Sequence, residues 1–129
     1  MNKAKRAVWI FSISITLVII ILFAIYLKTA SLNLPENTVI FYYGVTCPHC
    51  KNVEAYMTEV NISSILSVES KEVYLNKTNA DELIKVEKFC KIQKDYYGAV
   101  PFAYYNGECY LGDVPIIEFL KQKISEVNE

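Results

Sequence analysis

The stretch from Ala7 to Leu27 carries no charged side chain. As a helix it reaches roughly 31 Å at about 1.5 Å per residue, against a bilayer core about 30 Å thick. A core helix of a water-soluble domain keeps a polar stripe. Here the polar interruptions are Ser12, Ser14 and Thr16, with Trp9 and Tyr26 near the two ends, where an aromatic belt would lie. The stretch therefore predicts a transmembrane helix over 7–27. It is longer than the apolar region of a secretory signal, about 7–15 residues. Only Thr29-Ala30-Ser31 offers a faint cleavage site, so an uncleaved anchor is expected. Lys3, Lys5 and Arg6 precede the helix and Lys28 alone follows it closely. The positive-inside tendency then puts residues 1–6 in the cytoplasm and everything after Lys28 outside it.

With 129 residues there is room for one further domain. The formal net charge is −1, so no basic excess points to nucleic acid. Residues 28–37, with Pro35 among them, read as a short polar linker. The domain proper is expected over 38–129. At about 90 residues its core is thin and benefits from a covalent staple.

Thr38-Val39-Ile40-Phe41-Tyr42-Tyr43 is rich in β-branched and aromatic residues and predicts a buried strand ending at Gly44. Thr46 can cap a helix that begins around Cys47, with Pro48 in its first turn and Cys50, Val53, Met57 and Val60 on one face. Glu72 to Leu75 reads as a second strand. Asn79 can cap a second helix, with Leu83, Val86, Phe89 and Cys90 facing inward. The lysines and glutamates between Lys71 and Lys94 read as a solvated helix face. Phe102 to Tyr105 and Glu108 to Leu111 predict a hairpin turning at Asn106-Gly107. Asp113 can cap a last helix with Pro115 in its first turn and Ile117, Leu120 and Ile124 on one side. The expected order is β-α-β-α-β-β-α, an α/β domain with a mixed four-stranded sheet. Its first two strands are parallel and its last two antiparallel.

Cys47-Pro48-His49-Cys50 falls where the first strand gives way to a helix. A thiolate is the nucleophile in disulfide exchange, and a free cysteine with a pKa of about 8.5 is mostly thiol at neutral pH. A helix N-terminus offers unpaired N–H groups and partial positive charge that favour an anion. Cys47 would sit there facing solvent, and Cys50, one turn inward, could resolve a mixed disulfide. A protonated His49 would add positive charge beside Cys47 and make the disulfide more oxidising.

Here the sequence resembles the thioredoxin superfamily, in particular its small glutaredoxin-like members and the disulfide-forming periplasmic proteins. The matching residues are Cys47-Pro48-His49-Cys50 after a strand, Val100-Pro101 before another, and Gly112-Asp113 before the last helix. The resemblance implies a thioredoxin-like domain and thiol–disulfide oxidoreductase activity on extracytoplasmic proteins, with Cys47, Pro48, His49 and Cys50 as the catalytic set. It implies a cis Pro101 beside the pair, with Val100 offering backbone hydrogen bonds to an extended substrate. No metal or organic cofactor is required. A redox partner in the same membrane, a quinone-linked thiol oxidase or an electron-delivering thiol transporter, is implied as well. Two departures stand out. The buried acid that thioredoxins carry six residues ahead of the first cysteine is Phe41 here, and the helical insertion of the periplasmic oxidases is missing.

Cys90 and Cys109 bring the cysteine count to 4. Outside the cytoplasm an even count favours a structural disulfide, and closing a loop of about 20 residues contributes about 3 kcal/mol on the chain-entropy account. A second redox pair relaying electrons to Cys47–Cys50, and two unpaired buried thiols, are the alternatives. A membrane-tethered zinc- or copper-binding domain using Cys47 and Cys50 is the rival function, although Cys90 and Cys109 do not form the second short knuckle that a four-cysteine zinc site uses. A tethered adaptor with a vestigial motif is another. Tyr96, Tyr97, Tyr104 and Tyr105 flank Val100-Pro101. The last two are expected to pack in the sheet, and the first two could line a groove.

Overall fold

The computed structural model describes residues 2–29 and 32–127. Ala30 and Ser31 of the faint cleavage site lie outside the described residues, as do Met1, Asn128 and Glu129 at the chain ends. The chain divides into two units, Met1–Asn33 and Leu34–Glu129. The uncharged stretch lies within one helix, α1 (Lys3–Thr29). Its segment Val8–Tyr26 has a mean hydropathy of 2.9 and none of it is buried, so it is long and apolar enough to cross a membrane. Within it the Thr16 hydroxyl donates to the Ser12 carbonyl at 2.7 Å, which satisfies a polar group without water.

The second unit runs β1 (Thr38–Tyr43), α2 (Pro48–Glu59), β2 (Ser67–Glu72), α3 (Lys77–Phe89), β3 (Phe102–Tyr105), β4 (Glu108–Leu111) and α4 (Asp113–Val127), with single 3-10 turns at Ile62–Ser64 and Lys94–Tyr96. The sheet order is β2-β1-β3-β4. β1 lies parallel to β2 and antiparallel to β3, and β3 pairs antiparallel with β4. It is the mixed α/β arrangement that the sequence led us to expect.

Alternation along the strands explains the layers. Val39, Phe41 and Ala103 on one face join a buried cluster with Val53 and Met57 of α2 and Ile116, Phe119 and Leu120 of α4. On the other face the Tyr42 hydroxyl donates to Glu82 of α3 at 2.6 Å, and Tyr104 meets Phe89 with ring centroids 6.2 Å apart. β1 is covered on both sides, which is why it reads as an unbroken apolar run. Each fully buried Phe or Ile there contributes about 1.5–3 kcal/mol. The hairpin turns at Asn106 and Gly107, both with positive φ (46° and 94°), as a tight two-residue turn requires.

Several expectations need correcting. The second strand is Ser67–Glu72, and Val73-Tyr74-Leu75 is a turn beyond it with Leu75 82% exposed. An edge strand needs only half its residues buried, and this one shows a single apolar residue, Val68. The helix expected to start at Asn79 is capped by Asn76, whose side chain accepts the Asn79 N–H at 3.2 Å. With β2 ending earlier, the helix starts earlier and ends at Phe89. Phe89 is thus half exposed, and Cys90 is the C-cap. The charged stretch is not wholly solvated: Glu87 is fully buried, and Lys71 bridges Glu82 at 2.6 Å. Thr46 does not cap α2; Cys47 does. Asp113 is the first residue of α4, because the carbonyl of Gly112, at φ 96°, already accepts the Ile116 N–H at 3.4 Å. Tyr104 is buried and Tyr105 packs on Phe119 with centroids 5.5 Å apart, as expected of sheet residues.

Candidate active site

β1 delivers the chain to Gly44, whose missing side chain leaves room for the ring of Tyr74 to lie against the backbone. The carbonyl of Gly44 accepts the Cys47 N–H at 3.0 Å, closing the turn that starts α2. Cys47 takes the N-cap position with Pro48 in the first turn, and its Sγ accepts the Cys50 N–H at 3.1 Å. The sulfur therefore occupies the place where a capping oxygen usually satisfies an orphan amide, inside the positive end of the helix dipole. Cys47 and Cys50 are joined as a disulfide with Cα atoms 5.3 Å apart.

Cys47 was expected to face open solvent. Instead it is 5% exposed, and Cys50 is 0%. Its sulfur is covered because it is bonded to Cys50, belongs to the cluster that includes Phe41 and Val53, and lies 3.6 Å from the carbonyl oxygen of Val100. The expected order is kept: Cys47 is the more open of the two.

The antiparallel register explains why Val100 is there. Phe102 pairs with Tyr42 near the end of β1, so the residues just before β3 meet those just after β1. The Val100–Pro101 bond is cis. The Pro101 carbonyl accepts the Gly112 N–H at 2.9 Å, which ties this corner to the start of α4. Phe41 is buried, so the position six residues ahead of Cys47 supplies no proton acceptor.

His49 and Pro48 are exposed on the first turn of α2. The His49 Nδ1 lies 3.1 Å from Asp113 Oδ2, and the same oxygen accepts from the Asn52 amide at 2.6 Å. The hydrogen bonds from Asn52 and then His49 hold the Asp113 carboxyl down at about 2, from an ordinary 3.8. His49, Asp113 and Asn52 thus form one hydrogen-bonded group between the N-terminal parts of α2 and α4. Because the folded pKa is depressed, ionised Asp113 contributes stability above its ordinary pKa and loses it as pH falls through about 2. Urea unfolding should therefore find Asp113→Asn less stable than wild type near about pH 5. The two curves should converge toward the acid end.

Glu72 organises the neighbouring loops. Its carboxylate accepts the N–H groups of Tyr74 and Leu75, each at 2.8 Å, of Asn76 at 3.2 Å and of Val45 at 3.3 Å. Desolvation pushes its pKa up, and the backbone N–H groups, Leu75 and Tyr74 first, outweigh that and hold it below the usual carboxylate range. Val45 thereby joins the loop before α2 to the loop before α3.

Cys90 and Cys109 form a second disulfide, with Cα atoms 6.1 Å apart. It ties the end of α3 to the edge strand β4. Among the described residues no three His, Cys, Asp or Glu side chains gather as metal ligands. The chain matches no protein-family model, no curated protein and no solved structure.

Cys47 and Cys50 are bonded to each other and the Val100 carbonyl stands beside them, a neighbourhood implied by the resemblance and not by any local pattern. Sequence reasoning missed Asn52, Glu72 and the reach of Asp113 to His49. Asp113 did stand out, as a helix start, but nothing local tells which side chain such a carboxylate will meet.

Proposed function

We propose that the chain is a membrane-anchored thiol–disulfide oxidoreductase with a thioredoxin-like domain, acting on extracytoplasmic proteins through Cys47–Cys50. The observation that carries this reading is the placement of the pair. The disulfide closes the first turn of α2, the sulfur of its less buried residue, Cys47, caps the helix, and the Val100 carbonyl stands 3.6 Å from that sulfur.

In the oxidising direction a substrate thiolate attacks the Sγ of Cys47, the less deeply buried of the two. The Cys47–Cys50 bond breaks and Cys50 leaves as a thiolate. The substrate's second thiolate then attacks its own sulfur in the mixed disulfide and releases Cys47 as a thiolate that the helix N-terminus stabilises. Two electrons pass from the substrate dithiol to the protein, and two protons follow from solvent or substrate, since Phe41 holds none. The reducing direction is the reverse. Val100 supplies backbone hydrogen bonding to an extended substrate, and Pro101 shapes the approach. α1 holds the domain at the membrane with residues 1–6 in the cytoplasm, beside a redox partner in the same bilayer.

Equilibration of the full-length protein in detergent with glutathione buffers tests the reading. One two-electron couple at Cys47–Cys50 is expected, with Cys47 alkylated before Cys50 in the reduced protein. A potential near about −120 mV marks a disulfide donor and one near about −270 mV a reductase. A pair that never exchanges with glutathione while the fold stays intact would overturn it. So would stoichiometric zinc or copper bound by the reduced pair in freshly purified protein.

A further inference from the structure

Glu87 has no task in the chemistry above, yet among the described residues it is the one polar or charged residue buried as fully as the core. Its carboxylate turns away from solvent and accepts the Gly98 N–H, at 2.8 Å to one oxygen and 3.1 Å to the other. Burial pushes its pKa up, and the amides of Gly98 and Ala99 oppose that shift. Burying a carboxyl costs more than burying an aliphatic side chain of similar size, so the hydrogen bond to Gly98 is what such a residue adds.

What it holds is the approach to Val100. The segment between α3 and β3 leaves the helix through Lys91 at φ 57°, makes one 3-10 turn and reaches Gly98 at φ 79°. The Ala99 N–H is bonded inside this segment, to Tyr96 at 3.0 Å. Gly98 is bonded instead to the body of the domain, through Glu87. Two residues on stands Val100, and the next carbonyl, that of Pro101, is fixed by Gly112 at 2.9 Å. The Val100 backbone is therefore suspended between two anchors, one on α3 and one at the start of α4, and its carbonyl meets the Cys47 sulfur in between.

We propose that Glu87 is a positioning residue for the substrate: by fixing Gly98 it sets the backbone of Val100 beside Cys47 in the place an extended peptide must find it. The role rests on the thiol-exchange reading and specifies how that site selects peptides over small thiols. A small dithiol needs only the sulfur of Cys47. A peptide needs the sulfur and the Val100 backbone in register.

Full-length wild type, Glu87→Ala and Glu87→Gln, all oxidised and in detergent, are reduced by dithiothreitol and, separately, by a short unstructured peptide dithiol. Glu87→Ala should lower the second-order rate constant for the peptide by about tenfold, the factor carried by one well-placed hydrogen bond, and that for dithiothreitol by less than about twofold. Glu87→Gln, near in shape and with one acceptor oxygen left, should recover part of the peptide rate. Equal losses for both reductants, or no loss for the peptide, overturn the proposal. So does rapid hydrogen exchange of the Gly98 amide in the wild-type protein, a measurement that needs no variant to fold. A wild type that reacts with neither reductant removes the thiol-exchange reading itself, and the role of Glu87 with it.

Discussion

Full-length protein carrying Cys47→Ser is expected to lose disulfide exchange down to the uncatalysed background while keeping its fold. Serine is a favoured N-cap residue and can accept the Cys50 N–H as the sulfur does at 3.1 Å, so the first turn of α2 should survive. The lost disulfide closes a loop of only about four residues, which on the chain-entropy account contributes about 2 kcal/mol, short of the about 5–15 kcal/mol that holds small domains folded. The loss of activity would therefore be chemical. A hydroxyl cannot form or leave a disulfide.

Cys50→Ser should behave differently. Cys47 keeps its place and can attack a disulfide that joins two separate peptides; one peptide leaves as a free thiol, Cys50 is no longer there to resolve the mixed disulfide, and the protein should accumulate with the other peptide attached. Intact-mass measurement after incubation with a peptide disulfide reads both variants at once: no adduct for Cys47→Ser, close to one adduct per chain for Cys50→Ser. An adduct on Cys47→Ser and none on Cys50→Ser would reverse the two roles. Equal behaviour would remove the distinction that Cys47, 5% exposed, and Cys50, 0%, rest on.

The parts of this fold that were legible in sequence are those whose local pattern has one physical cause. β1 shows as an apolar run because it is covered on both faces, and the β3–β4 turn shows because Asn106-Gly107 suits two positive φ values. β2 hid because an edge strand can alternate Ser, Glu and Lys with a single Val68, while the apolar Val73-Tyr74-Leu75 beside it is a turn held by Glu72. Charge misled in the same way. Glu87 sits among exposed lysines in sequence, Lys85, Lys88 and Lys91, and only the fold of the 91–101 segment over it shows that its neighbour is an amide rather than water. The cysteine pair was legible because its spacing is local. That Val100 would stand next to it came from resemblance, while the contacts of Asp113 with His49 and Asn52 came from neither, since those partners lie 64 and 61 residues away.

The double variant Cys90→Ser/Cys109→Ser should lose about 3 kcal/mol of stability, more than the loss of the shorter Cys47–Cys50 loop. For a domain of this size that corresponds to a fall in Tm on the order of 15 °C. The cause is both entropic and positional. β4 is an edge strand that pairs with β3 alone among the described strands and stacks Tyr110 on Phe119 of α4, and the disulfide is its covalent tie, to the end of α3. Differential scanning calorimetry with Cys47–Cys50 kept oxidised measures the loss, and exchange activity per folded molecule decides its meaning. A structural staple predicts full activity at low temperature with a lowered Tm. A relay predicts instead a turnover that stops once Cys47–Cys50 has reacted, even far below the Tm. Because Glu87 lies one turn before Cys90 on α3, a staple also steadies the anchor of the Val100 segment. The double variant should then lose rate with peptide substrates before it does with dithiothreitol as the temperature is raised toward its lowered Tm.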